Sequence, residues 1–374
     1  MKFHYFLEKM VQEEASDLFV SAKLPVSAKI NGELQAIDEH VLTPEEALTL
    51  VHSSMNEKQK QEFDRDKECN FAISIDGIGR FRVSAFWQRD MAGMVIRRIV
   101  TDIPDADELG LPSILKDVVM SKRGLVLFVG GTGTGKSTSM AALIGYRNKN
   151  SRGHILTIED PVEFVHEHGK SMITQREVGL DTESFDAALK SSLRQAPDVI
   201  LIGEIRSQEI MEHALSFAET GHLCIATLHA NNANQAIDRI MHLVPAEQHG
   251  KLMFDLALNL RGIVAQQLVP TKDGNGRVAA IEILLNSPYV AELIKKGEIG
   301  SIKEVMEKSN ELGMQTFDQA LFNLYQRGLI NYADAIHHAD SPNDLRLMIK
   351  LRSNDQGGSG SLSGVTIDGL EPND

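Results

Sequence analysis

The stretch FVGGTGTGKSTSM, beginning at Phe128, gathers glycine, threonine, lysine and serine into a loop that cannot contribute to a core. Its spacing, Gly130-x4-Gly135-Lys136-Ser137, fits a phosphate-binding loop, and it follows the apolar GLVLFVG and precedes the helical STSMAALIGY. A triphosphate needs several N–H donors converging on one small volume, and only residues without bulky side chains let the backbone wrap that closely. Gly130, Gly131, Thr132, Gly133, Thr134 and Gly135 are therefore read as the cradle, with the dipole of a helix starting near Lys136 behind it. Lys136 is expected to reach the β/γ-phosphates of ATP, Ser137 to ligate Mg2+, and Thr138 to support the α-phosphate region.

A cradle says only that a nucleotide binds; cutting it needs further groups. DVILIGEIR is an apolar strand ending in Glu204, where a carboxylate would face the phosphate crevice and hold the Mg2+ shell or a water. TIEDPVEF repeats the arrangement with Glu159, Asp160 and Glu163, and Glu163 is a candidate base for the attacking water; three neighbouring acids also suit a solvated turn. His222 and His229 flank the strand LCIATL, either as ordinary strand-end histidines or as groups approaching the γ-phosphate. His166 and His168 have no third ligand at metal-binding spacing and read as a solvated loop. Phosphoryl transfer also calls for positive charge, often from an arginine. Arg80 and Arg82 alternate onto one face of a strand, and Arg97 and Arg98 lie on the next, an arrangement that surface solubility would equally explain.

These groups need elements to hold them. Phe3, Phe6, Leu7, Met10 and Val11 recur at helical spacing. Asn31-Gly32 signals a hairpin turn, and Thr43, Pro44 and Glu46 give an N-cap, a first-turn proline and a capping box. Phe71, Ile73 and Ile75 alternate before Asp76-Gly77, and Phe81, Val83 and Ala85 after it, so a second hairpin with one buried face is expected. Residues 1–99 thus form a small α+β domain, followed by the Pro/Gly/acid-rich linker 100–112. Beyond it, the continuous apolar runs GLVLFVG, HILTIED, DVILIGE and HLCIATLHA imply parallel strands covered on both faces. From about residue 245 the chain is expected to be mostly helical, through LMFDLALNLRGIVAQQLV and MQTFDQALFNLYQRGLI. The Gly/Ser-rich segment from about 353, with its acids and no bases, is expected to be a flexible tail.

The 374 residues, 42% hydrophobic, suffice for two domains with real cores. A net charge of −14 argues against nucleic acid as a partner. Cys69 and Cys224 stand far apart without a CxxC pattern, as suits a reducing cytoplasm. No signal peptide and no apolar run near the roughly 18 residues of a spanning helix is found, so a soluble protein is expected, one that could dock on a membrane complex.

These landmarks occur together in the secretion ATPases of type IV pilus and type II secretion machines. LRQAPDVILIGEIR (193–206) resembles that family's signature block, TIEDPVEFVHEHGKSMITQREVG its Asp box, and TGHLCIATLHANNANQAIDRI its His box, the likeness running from about residue 3 to 345. The short N-terminal domain and the lack of a tetracysteine insert resemble the retraction branch. Within it, Ser207 where Arg-Asp would be expected, the helix VAELIKKGE and the acidic tail resemble the accessory of two paralogous retraction motors. The resemblance implies an α/β protein with a PAS-like domain over 1–99 and a RecA-like ATPase domain with a mainly helical C-terminal part over 113–345, then an extension over 346–374. It implies an ATP-driven homohexamer at the cytoplasmic base of the pilus machine, meeting an inner-membrane platform protein and acting with its sister retraction ATPase. ATP would lie between the two domains. Glu163 would be the base, Glu204 the Walker B acid and Mg2+ ligand with Ser137, His229 the γ-phosphate sensor, and Arg82 and Arg97 the arginines closing on the phosphates. A pilus-assembly or type II secretion ATPase, a nucleotide-holding adaptor and a RecA-type DNA motor are the alternatives.

Overall fold

The computed structural model describes residues 3–30, 32–99 and 102–355. Helix α1 (Phe3–Gln12) turns Phe3, Phe6, Leu7 and Met10 inward, as their spacing requires. Strands β1 (Asp17–Ser21), β2 (Pro25–Ile30) and β3 (Glu33–Val41) follow, with β2 and β3 antiparallel and Ile30 opposite Glu33. The expected turn lies between them; its Asn31 falls outside the described residues, and Gly32 has the left-handed φ of +87° that such a turn needs.

Helix α2 (Pro44–Ser53) starts as its sequence dictates. Thr43 Oγ1 accepts from the Glu46 amide at 3.2 Å, and Glu46 Oε2 accepts from the Thr43 amide at 2.9 Å. Thr43→Ala removes half of this box and is expected to cost about 1 kcal/mol, readable as a lower urea midpoint at unchanged slope. Helix α3 (Glu57–Asp66) and strands β4 (Glu68–Ile75), β5 (Gly79–Gln88) and β6 (Met91–Ile99) complete an antiparallel sheet in the order β3-β2-β1-β6-β5-β4. Its inner face joins Phe6, Leu7, Met10, Leu18, Phe63, Phe71, Phe81 and Met94 in one core. The second expected hairpin is present, with Ile75 opposite Gly79 and Phe81, Val83 and Ala85 all buried.

Onward run α4 (Ile114–Val119), β7 (Gly124–Val129), α5 (Lys136–Asn150), β8 (Gly153–Glu159), β9 (Ser171–Glu177), α6 (Phe185–Ser192), β10 (Val199–Ile202), α7 (Gln208–Glu219) and β11 (Leu223–Leu228). Then come α8 (Ala233–Met241), α9 (His249–Asn259), β12 (Leu260–Pro270), β13 (Arg277–Leu285), α10 (Pro288–Lys296), α11 (Ile302–Lys308), α12 (Phe317–Gln326), α13 (Tyr332–His337) and α14 (Pro342–Asp355). Among the described residues no helix is long and apolar enough to cross a membrane.

The described residues group into two compact units: Met1–Glu108, Leu115–Gly124 and Ser137–Ala226 in one, and Leu109–Ile114, Leu125–Lys136 and Thr227–Asp374 in the other. In the first, β11, β10, β8 and β9 pair side by side in parallel, with Ile200 between Leu156 and Cys224. Every residue of β10 is buried, which is why its apolar run is unbroken. Arg147 of α5 is buried and donates from Nη1 to the Val119 and Ser121 carbonyls, closing the C-terminal end of α4; burial lowers its proton affinity. In the second unit, β7 lies parallel to β12, and β12 pairs antiparallel with β13 from Gly262–Leu285 to Pro270–Arg277.

Two expectations are corrected. LMFDLALNLRGIVAQQLV is not one helix: α9 ends at Asn259 and Leu260–Pro270 is a strand. Its apolar run fits either period, and pairing with β7 and β13 decides it in favour of the strand. The C-terminal helix extends to Asp355, past the point near 353 where a tail was expected to begin; residues 356–374 lie outside the described residues, as do Val100 and Thr101 of the linker.

Candidate functional site

The glycine loop leaves β7 and enters α5 directly at Lys136. Gly130 has φ +152°, and a Cβ there would sit 2.6 Å from both the Gln266 carbonyl oxygen and Thr134 Oγ1. Gly135 has φ +85°, and its Cβ would sit 2.8 Å from Gln266 Nε2. The loop is thus wound too tightly for side chains at either position. Gln266 Nε2 donates to the Thr134 carbonyl at 2.9 Å, and Thr134 Oγ1 donates to the Gly131 carbonyl at 2.9 Å, fixing the curve. Lys136 Nζ donates to the Gly130 and Gly131 carbonyls at 2.7 and 2.6 Å, so its ammonium is held over the loop. Thr132 and Gly133 are exposed at the tip; Ser137 and Thr138 occupy the first turn of α5 and are half-buried. A buried glutamine supporting this loop was not anticipated. The signal was present, since Gln266-Gln267 interrupts an otherwise apolar strand.

The acids form their own constellation. Glu159 ends β8, and Gly203-Glu204 follows β10 on the neighbouring parallel strand. The Gly203 amide donates to the Ile158 carbonyl at 2.7 Å, tying the two strand ends together. Of the three acids of TIEDPVEF, Asp160 and Glu163 are exposed and Glu159 is not, although Glu163 stays close enough to act on Glu159 through both its charge and its backbone amide. Glu159 turns inward, where burial raises its pKa; Thr157 Oγ1 at 2.6 Å and Gln175 Nε2 at 3.2 Å donate to it and oppose that rise. Asp160 faces Arg206, whose Nη1 lies 3.7 Å away, and Glu163 is exposed. Arg206 Nε also donates to Glu204 Oε2 at 2.7 Å, so one guanidinium spans both acid segments. In the sequence Arg206 is legible only as the last residue of LRQAPDVILIGEIR. Ser207, in place of an expected aspartate, caps α7: its hydroxyl accepts from the Ile210 amide.

The two histidines flanking β11 do not form a pair. His222 precedes the strand, where Nδ1 lies 3.1 Å from Thr220 Oγ1 and 3.2 Å from the Phe217 carbonyl, whereas His229 follows its far end and is exposed. A strand of that length separates them by roughly 20 Å. His166 is half-buried and burial pushes its pKa down to about 4, while His168 Nδ1 accepts from the Ile173 amide. Among the described residues no three His, Cys, Asp or Glu side chains could together hold a metal ion.

On the N-terminal sheet, Arg82 stands directly opposite Arg97, and Arg97 directly opposite Asp17. Like charges facing each other across strands repel, so this row is unfavourable by itself. Asp17 offsets it: the carboxylate, only 6% exposed, accepts from Arg97 Nε at 2.8 Å and from Ser16 Oγ at 2.8 Å. Alternation along one strand had coupled Arg82 to Arg80; the register couples it to Arg97.

Comparisons with known proteins show the family. Residues 2–306 match the family described as "Type II/IV secretion system protein". The chain is 62% identical, over 94% of its length and 92% of the relative's, to the "Type IV pilus ATPase PilU" of Pseudomonas aeruginosa. It is 41% identical, over 88% of its length and 96% of the relative's, to the "Type IV pilus retractation ATPase PilT" of the same organism. A crystal structure of the pilus retraction motor PilT with bound ADP superimposes with a TM-score of 0.87 at 38% identity, covering 93% of this chain and all of that one.

Proposed function

Because the chain belongs to the Type II/IV secretion system protein family, we propose that it is an ATP-hydrolysing motor that drives type IV pilus retraction. Its fold is that of an N-terminal domain joined to a RecA-like ATPase domain. The observation that carries the reading is the tightly wound glycine loop with the Lys136 ammonium drawn onto its carbonyls, in a chain 62% identical to a type IV pilus ATPase.

The residues fit a magnesium nucleotide. The backbone of Gly130–Gly135 wraps the phosphates, Lys136 transfers its hydrogen bonds from loop carbonyls to phosphate oxygens, and Thr138 supports the α-phosphate. The Ser137 hydroxyl and the Glu204 carboxylate, hard oxygen donors of the kind Mg2+ takes alongside phosphates, would hold that ion, which would supply charge neutralisation at the transferring group. Arg206 orients Glu204 through its 2.7 Å contact. Glu163, exposed on its loop, orients and deprotonates the attacking water. Arg82 and Arg97 supply positive charge at the transferring phosphoryl group, and His229 senses the γ-phosphate. Residues 1–99 act as the moving domain, 100–112 as the linker, 113–345 as the motor and 346–374 as an extension. Hydrolysis and product release drive the domain movement.

In the cell the motor is read as a cytoplasmic homohexamer at the base of the pilus machine. It meets an inner-membrane platform protein and acts beside a PilT-type sister motor, without nucleic acid, as its −14 charge supports. Glu163→Gln is expected to lower Mg2+-dependent ATP turnover about 100-fold, the scale of a lost general base. Retraction imaging with and without the sister motor should show the same variant failing to support retraction. Wild-type turnover in Glu163→Gln would remove Glu163 from the chemistry. A deletion strain that loses its pili, instead of becoming hyperpiliated, would point to assembly.

A further inference from the structure

The loop carrying Glu163 runs from β8 to β9, and two β9 side chains suspend it. The Val162 amide donates to Glu177 Oε2 at 3.1 Å. Gln175 uses both ends of its amide: Nε2 donates to the Phe164 carbonyl at 2.8 Å and to Glu159 Oε1 at 3.2 Å, while Oε1 accepts from the His166 amide at 2.8 Å. These contacts bracket Glu163 on both sides. In the parallel register Thr157 stands beside Gln175 and Glu159 beside Glu177, so with period-two alternation all four side chains line one face of the strand pair. Glu177 is 2% exposed, and its own amide donates to Asp181 Oδ2 at 2.9 Å. Two positions of this edge strand thus hold polar side chains that reach the backbone groups of the loop, whereas β10, two strands inward, is wholly apolar.

We propose that Gln175 and Glu177 are positioning residues for Glu163, fixing the backbone of residues 162–166 so that the Glu163 carboxylate is presented to the attacking water. This rests on the reading of Glu163 as the base. An exposed glutamate on an untethered loop would share its time among many rotamers, whereas a base must sit within hydrogen-bond reach of the proton it takes. Neither residue touches the reacting atoms; both act through the loop.

The test uses the full chain, with kcat and the KM for ATP measured for Gln175→Glu, Glu163→Gln and the double variant. Gln175→Glu keeps the volume but replaces the amide donor with an acceptor facing the Phe164 carbonyl and the Glu159 carboxylate. It is expected to lower kcat roughly 10- to 100-fold, with KM within about twofold of wild type. In the Glu163→Gln background the same change should cost less than about threefold more, because its effect passes through the missing base. Glu177→Gln, which keeps an oxygen for the Val162 amide, should recover most of the kcat that Glu177→Ala loses. If Gln175→Glu does not fold, Gln175→Asn, one methylene shorter, is read the same way. An unchanged kcat in Gln175→Glu, a KM that rises in step with the fall in kcat, or an equal loss in the Glu163→Gln background overturns the positioning role while leaving Glu163 as the base. Wild-type kcat in Glu163→Gln overturns both.

Discussion

Lys136→Ala is expected to lower ATP turnover by about 10³-fold, roughly 4 kcal/mol of transition-state stabilisation. The size follows from what the ammonium does at each stage. In the structure it donates to two neutral carbonyls, those of Gly130 and Gly131. Exchanging them for phosphate oxygens turns neutral acceptors into charged ones, and charge-assisted bonds are about twice as strong. The gain grows as negative charge develops on the transferring group, so the loss should appear in kcat as well as in binding. Folding is not expected to suffer, because position 136 begins α5 and alanine is a better helix former than lysine. Lys136→Arg keeps the charge but presents a planar fork in place of a compact point charge, and is expected to stay impaired. Phosphate-release kinetics beside a thermal melt check this. A Lys136→Ala protein with normal turnover would remove the glycine loop from the chemistry.

The second large effect concerns stability. Glu282 of β13 is 3% exposed, and its Oε1 accepts from the Ala233 amide at 2.8 Å and its Oε2 from the Phe317 amide at 3.4 Å, the first residues of α8 and α12. Burial raises its pKa from 4.5 to about 7; Asp340 adds to the rise, while the two amides and Lys303 oppose it. A carboxyl with a raised folded-state pKa binds its proton more tightly folded than unfolded. Its contribution is therefore fully present below pH 4.5 and is lost as pH rises to about 7. The interval corresponds to about 3 kcal/mol. Wild type should thus lose about that much stability relative to Glu282→Gln between pH 4.5 and 7, read from urea unfolding at each pH. The comparison uses the slope of the difference with pH, so the constant cost of the amide's weaker capping drops out. Parallel stability curves for the two proteins would contradict it.

Several parts of this protein could be read directly from the residues. The capping box at Thr43–Glu46 was legible because its partners lie three residues apart. The glycine loop was legible because backbone curvature restricts residue type locally: Gly130 and Gly135 stand where a Cβ would collide. The parallel strands β8, β10 and β11 announced themselves as unbroken apolar runs, because each is covered on both faces.

Other parts were not legible, for one reason. Leu260–Pro270 fits two periodicities, and only its partners β7 and β13 select the strand. Arg97 lies fifteen positions from Arg82 and eighty from Asp17, and nothing short of the sheet register places the three in one row. Gln266 reaches the glycine loop across 132 residues of chain, and Gln175 holds the loop of Glu163 from the strand that follows it. The sequence alone therefore determined the glycine loop, the helix caps and the apolar strands, since caps, turns and burial patterns depend on near neighbours. Which side chains hold those residues in place was decided only by the tertiary structure, because strand pairing joins positions whose separation along the chain carries no trace of their contact.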